Sequence, residues 1–447
     1  MRLTNSQAEG KSPMTTNQPR QPTSLRPFFT LWIGQAFSLL GSQLVQFALI
    51  WWLTQRTGSP TVLALASIVG LLPQVFLGPF AGVLVDRWNR RRVMLGADAV
   101  VALATLALVY LFRIDAIQIW YVYVALFIRA LAGTFHSTAM AASTSLMVPQ
   151  EQLTRVQGLN QMLNGGLSIA AAPLAALLLT LLPIQGVLLV DIVTAALAIT
   201  TLLLVVVPQP ARIVSADAPQ STLRAYWDDL RAGWRYLLNW RGLLLITGVA
   251  MMINLVLSPT TALIPLLVTK HFNGTAWHLS ALEAGFGIGV LAGGLLLGVW
   301  GGFKNRIMTS LLGVAGIGVG ILLMGLAPVS LFALAVFGML LGGVMSSLAN
   351  GPLTAIFQAN VAPDMQGRLF ALLGSGSAAM MPLGLAIAGP MAEVIGVRAW
   401  FLIGGAITLL IAFVCMFVPA VRNIERERDD HPNPEEAPAG QQAATRI

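Results

Sequence analysis

Residues 307–363 read IMTSLLGVAGIGVGILLMGLAPVSLFALAVFGMLLGGVMSSLANGPLTAIFQANVAP, without one Asp, Glu, Lys, Arg or His. A helix needs about 20 mostly apolar residues to cross a hydrocarbon core about 30 Å thick. The stretch is long enough for two crossings, and it sets the fold class. Outward from it, the same charge-free character holds over 57–85, 157–190, 192–211, 242–269, 369–392 and 399–421. Proline, glycine and charge punctuation then give twelve spans: 28–53, 61–84, 93–112, 117–140, 157–182, 185–207, 243–268, 280–301, 307–326, 330–350, 367–390 and 399–420.

The composition agrees. Of the 447 residues 56% are hydrophobic and only 10% are charged, against about 25% charged in a soluble domain. The expected fold is all-α integral membrane, twelve transmembrane helices in two six-helix bundles. A polar cytoplasmic tail (1–27) precedes the first bundle (28–207). A linker (208–242) joins it to the second bundle (243–420), and a charged, Pro-rich tail (421–447) follows. The tails have the composition of disordered segments, and no removable signal peptide is read at the start. Within the linker, Leu223, Tyr226, Trp227, Leu230, Trp234, Leu237 and Leu238 follow helical spacing, with Arg224, Asp228, Arg231 and Arg235 on other faces. That pattern suits an amphipathic helix, laid on the lipid surface or packed on the protein.

An even number of spans puts both termini on one side. That side then holds 21 of the 26 lysines and arginines, the opposite side holds 4, and Arg129 lies inside a span. The positive-inside rule makes the crowded side cytoplasmic. The net charge of +8 is thus placed to meet a membrane surface rather than nucleic acid. The single cysteine, Cys415, excludes an internal disulfide.

The two halves echo one another. Pro149, Glu151 and Arg155 precede the fifth span as Pro363, Asp364 and Arg368 precede the eleventh. Pro173 and Pro382 occupy matching places within those spans and are assigned to helix packing. Gly82 and Arg90 have counterparts in Gly298 and Arg306. Repeated halves with a central site are common in transporters.

Several residues carry chemistry. Arg129 sits mid-span, where an arginine costs about 2.5–3.5 kcal/mol on the insertion scale, so it must face a partner or a cavity. Asp98, Asp191 and Glu283 are acids within spans. Burial brings a carboxyl group into the range where it exchanges protons near neutral pH. These four are the candidates for proton coupling. Asp98 has a second reading, an ion pair with Arg91 or Arg92, while Glu393 reads as a solvated loop residue. Gln35, Ser38, Ser42 and Gln46 form one stripe of the first span, facing either a substrate cavity or another helix. With Asn164 and Asn254 they make up the candidate cavity lining.

Gly82-Val-Leu-Val-Asp86-Arg87-Trp88-Asn89-Arg90-Arg91-Arg92 resembles the loop signature of the major facilitator superfamily. The resemblance implies a cytoplasmic gate built from Gly82, Asp86, Arg87, Arg90 and Arg91, with Gly82 permitting close helix approach. Asn89 stands where that signature has glycine. Leu126-Phe-Ile-Arg129-Ala-Leu-Ala-Gly133 resembles the superfamily's fourth-helix motif, whose arginine is linked to proton coupling. Around Pro173 the antiporter motif is echoed with Ser168 and alanines in place of glycines. Further stretches, among them Gly96-Ala-Asp98, Thr134-Phe135-His136, Val148-Pro-Gln-Glu-Gln-Leu-Thr154 and Gly293-Gly-Leu-Leu-Leu-Gly298, resemble the macrolide efflux family within it.

That likeness implies a secondary transporter of the bacterial inner membrane that exports amphiphilic drugs, macrolides among them, by proton-driven alternating access. The expected partners are a small amphiphilic substrate, protons and lipid, with the chain a monomer. An exporter of an endogenous metabolite such as a siderophore is the alternative, and a non-transporting scaffold or sensor the remote one. No phosphate-binding loop or H-E-x-x-H occurs, and the four histidines are scattered, so neither ATP, a metal, a cofactor nor an enzymatic activity is expected.

Overall fold

The computed structural model describes residues 25–209, 240–361 and 363–422, together with 231, 234, 235, 237 and 238. Among the described residues there is no strand, and twelve helices are long and apolar enough to cross a membrane. They are α1 (Arg26–Thr57), α2 (Pro60–Arg87), α3 (Arg90–Arg113), α4 (Ile119–Met147), α5 (Leu153–Leu181), α6 (Ile184–Leu204), α7 (Arg241–Ala262), α8 (Ala276–Trp300), α9 (Arg306–Leu326), α10 (Phe332–Asn360), α11 (Pro363–Ile395) and α12 (Val397–Phe417). A short helix, Ile264–Lys270, continues α7. The tails, and most of the expected amphipathic linker helix, lie outside the described residues. From the end of that helix, Leu237 is buried while Trp234 and Leu238 are exposed.

Local chemistry fixes the helix ends. Gly58 ends α1 in the left-handed region, at φ 59°, which glycine adopts without a Cβ penalty. Ser59 then caps α2, accepting the Val62 N–H, with Pro60 in the first turn. Asn89 caps α3 by accepting the Arg92 N–H at 3.1 Å, with its φ at −70°. The turn between α2 and α3 therefore needs no glycine at that position. Pro173 and Pro382 both lie inside helices, α5 and α11.

The packing repeats with an offset of six helices. In the first half α1 meets α5 and α6, α2 meets α4, and α3 meets α4 and α6. In the second half α7 meets α11 and α12, α8 meets α10, and α9 meets α10 and α12. Across the halves α2 lies on α11 and α5 on α8. Glycines at 285, 289 and 293 recur every fourth residue on α8. A side chain at Gly289 or Gly293 would strike the Leu340 or Val344 carbonyl of α10. Small residues at this spacing let membrane helices approach backbone to backbone.

The side holding the start of α1 and the end of α12 is called the terminal side, and the opposite one the distal side. The apolar core is arranged unevenly between them. On the distal side one cluster draws on both bundles, joining Leu44, Trp51 and Leu63 to Ile264, Phe272, Ala388 and Trp400. On the terminal side there are two separate clusters. One holds Phe28, Val85, Met94 and Leu202, the other Leu243, Ile307, Phe357 and Val421. Among the described residues the buried core thus joins the bundles distally and is divided between them terminally.

Outward-facing side chains are apolar: Leu295 and Val299 on α8 are 72% and 91% exposed, and Leu204 on α6 is 75% exposed. Covering such a side chain is worth about 1.5–3 kcal/mol, so this surface belongs in lipid.

Candidate functional site

The most buried charges lie inside the first bundle. Asp191 of α6 is 1% exposed. Its Oδ2 accepts the Arg129 guanidinium of α4 at 2.6 Å and the Thr105 hydroxyl of α3 at 2.9 Å. Arg129 also donates to Thr105. Ser42 of α1 donates to Asp191 Oδ1 at the long distance of 3.5 Å. Four helices thus converge on one ion pair, with each charge satisfied by the other and by hydroxyls, as burial in low dielectric demands.

A second polar layer lies one step toward the terminal side. Gln35 of α1 donates to Asp98 Oδ2 at 3.3 Å, and His136 Nε2 of α4 stands 3.5 Å from Asp98 Oδ1. The offset between layers is seven residues on each of three helices: Gln35 to Ser42, Asp98 to Thr105, and Arg129 to His136. Seven residues make nearly two full turns, so each helix presents both members on one face. The ion pair considered for Asp98 with Arg91 or Arg92 does not form. Arg91 instead donates to the Leu202 and Leu203 carbonyls at the end of α6, where a cation also meets the helix dipole. Arg92 is exposed. His136, read from sequence as one of four scattered histidines, is the residue that faces Asp98.

The residues assigned to the gate fall apart into different jobs. Arg90 donates to the Ala142 carbonyl of α4, so Arg90 and Arg91 tie the base of α3 to its own bundle. Arg87 is exposed, and the Asp86 side chain lies outside the described ones. Among the described residues Gly82 has nothing within 4 Å of where a Cβ would stand.

In the candidate cavity lining, Gln35 and Ser42 point into the bundle, Ser38 is half-buried and Gln46 is exposed. Asn254 donates to the Ala250 carbonyl of its own helix, α7. Asn164 is exposed on the terminal half of α5. Next to it, Asn160 accepts the Trp32 indole at 2.7 Å, joining α1 to α5.

Glu283 lies on α8, which is exposed on two opposite sides. One side carries Ile288, Leu295 and Val299, and the other carries Phe286 and Val290, in line with Glu283. Charged groups in spanning helices face the protein interior or a water-filled opening, so the Glu283 side is the seam between bundles. Glu283 is half-buried, with no hydrogen bond or ion pair among the described residues. Glu393 corrects its loop reading. It belongs to the last turn of α11, and its carboxylate accepts the Ser59 hydroxyl and the Thr61 N–H at the start of α2. Trp277 of α8 donates to Thr180 of α5 at 3.2 Å. Both contacts cross between bundles on the distal side. Among the described residues no three His, Cys, Asp or Glu side chains are grouped to hold a metal ion.

Two repeated six-helix bundles with a buried ion pair inside one of them are an arrangement at home among membrane transporters. The chain belongs to the Major Facilitator Superfamily, whose model matches residues 31–351 and 260–446. It is 36% identical over 398 residues to Macrolide efflux protein A of Streptococcus pyogenes, covering 89% of this chain and 97% of that protein. It is 27% identical over 427 residues to the multidrug efflux pump Tap of Mycolicibacterium fortuitum, covering 92% and 98%. Among solved structures, a variant of the nucleoside transporter NupG superposes with a TM-score of 0.69 at 14% identity, covering 88% of this chain and all of that one. That likeness is one of fold.

Proposed function

We propose that the protein exports amphiphilic drugs, macrolides among them, from the bacterial cytoplasm in exchange for protons, by alternating access between its two bundles. The observation that carries the reading is the buried Arg129–Asp191 pair. A proton on Asp191 removes the charge that holds Arg129, so proton occupancy is tied to the packing of α1, α3, α4 and α6 against one another. The names of the macrolide and multidrug efflux relatives supply the substrate class. The arginine-rich terminal side faces the cytoplasm, which makes the described conformation the one open inward. Glu283, without a hydrogen bond or ion pair among the described residues, is the group that would meet a cationic drug.

The distribution of glycines supports a second conformation. Gly287 at mid-depth and Gly389 on the distal side are in use: a Cβ at Gly287 would stand 2.9 Å from Ile169, and one at Gly389 3.0 Å from Ala64. Toward the terminal side Gly78, Gly82, Gly158, Gly294 and Gly298, on the same seam helices, have nothing within 4 Å among the described residues. They leave room for the closure that alternating access requires.

The test is drug susceptibility of a hypersensitive bacterium expressing the chain. Macrolide resistance should rise, and a protonophore should abolish the rise. No resistance to any macrolide together with unchanged dye accumulation would overturn the reading. Arg129→Ala should insert in the membrane and confer no resistance.

A further inference from the structure

We propose that His136 and Asp98, held by Gln35, form a second proton-binding site on the terminal side of the Arg129–Asp191 pair. Three observations carry it. His136 Nε2 is buried with no hydrogen bond of its own, yet it stands 3.5 Å from Asp98 Oδ1. A proton on the ring turns this loose contact into an ion pair. Gln35 donates to the other carboxylate oxygen, which keeps Asp98 aimed at the ring. The seven-residue offset stacks the site beneath Thr105 and Arg129 at a spacing of about 10 Å, toward the side where the bundles part.

The neighbouring charges make this layer the adjustable one. The faces packed against it bring Arg129 from α4 and Asp191 from α6, already paired with each other. From α1 come only Gln35 and Ser42, and α2 carries no titratable side chain from Pro60 to Val85. At the base of α3, Arg91 is held by the α6 carbonyls and Arg90 by that of Ala142. The upper layer is neutral as a pair, whereas the lower one gains or loses a whole charge with one proton. A proton leaving Asp191 toward the terminal side meets His136 on the way, and this layer is the less sealed of the two, its side chains 14% and 8% exposed against 8% and 1%. The use of the site in export rests on the reading above, while its existence does not.

The test uses full-length protein in lipid nanodiscs with isotopically labelled histidine. The His136 ring signal is assigned by its loss in His136→Gln or His136→Asn. In the wild type it should titrate between about pH 5 and pH 9, and Asp98→Asn should weaken its proton binding at least about tenfold. Drug binding should release protons from the wild type and fewer from His136→Gln. A ring that keeps one protonation state over that range, or that titrates identically in Asp98→Asn, overturns the proposal. The wild-type titration needs no variant to fold. An Asp98-dependent His136 with no drug-linked proton release supports the site and refutes the export reading instead.

Discussion

Replacing Asp191 with Asn tests whether the ion pair couples or merely braces. In the native protein Asp191 accepts Arg129 at 2.6 Å and Thr105 at 2.9 Å while 1% exposed. Removing one partner of a buried pair costs about 3–5 kcal/mol, because the other charge is left uncompensated. An Asn carbonyl can still accept both donors, and a hydrogen bond to a charged group is worth about 1.5–3 kcal/mol. The net loss expected for Asp191→Asn is therefore about 2 kcal/mol. Adding Arg129→Gln removes the stranded cation, and the double variant should regain most of that loss, giving a coupling above about 1 kcal/mol in a double-mutant cycle. Thermal unfolding in detergent, followed through the 11 tryptophans, measures the cycle, and macrolide accumulation measures transport. Neither Asp191→Asn nor the double variant should transport. If the double variant regained export along with stability, the pair would be a structural brace and the coupling argument would fail.

Three further outcomes follow from packing and charge. Gly82→Val meets nothing among the described residues and replaces a poor helix former, so thermal stability should match or exceed that of the native protein. Export should nonetheless be lost if the terminal side must close over that position; undiminished export would show that it does not. Gly289→Leu would strike the Leu340 carbonyl and Gly343 within the second bundle. It should lower stability by about 1–3 kcal/mol or more, whereas Gly294→Ala, in open space, should leave it unchanged. Glu283→Gln breaks no hydrogen bond or ion pair among the described residues, so it should fold normally. Cell-based accumulation assays should show at least about a tenfold loss in export of cationic drugs with neutral ones spared. Equal effects on both would remove Glu283 from substrate recognition.

The spans were legible because charge is forbidden in hydrocarbon, and each block between charges is one or two helix lengths long. For the same reason Arg129, Asp98 and Asp191 stood out as exceptions. Their partners did not, since which helix faces which depends on packing across the bundle rather than on any one segment. Thr105 was missed because a threonine in a span raises no alarm. His136 was missed although a signal existed: it follows Arg129 by seven residues, as Thr105 follows Asp98 and Ser42 follows Gln35. One such offset is unremarkable, but three on three helices mark a shared face. Asn89, which departs from the superfamily signature, reads differently once its side chain is seen capping α3. Glu393 looked like a loop residue because the eleventh span, read from sequence, ends at residue 390, whereas the helix runs on to Ile395. It is held in the helix because its carboxylate accepts donors at the start of α2, where the helix dipole favours an anion.

The uneven core explains why the polar layers lie where they do. Distally, one apolar cluster spans both bundles, and water is kept from Arg129 and Asp191 by side chains such as Leu126 and Leu188 of that cluster. A pair sealed this way exchanges a proton slowly unless a titratable group connects it to the open side. The terminal clusters belong to separate bundles, and the Asp98–His136 layer, with side chains 8% and 14% exposed, is less sealed than Asp191 and Arg129 at 1% and 8%. A column with a sealed upper pair and a less sealed lower pair thus gives proton exchange a direction. A single mid-span ion pair, exposed equally to both sides, would not.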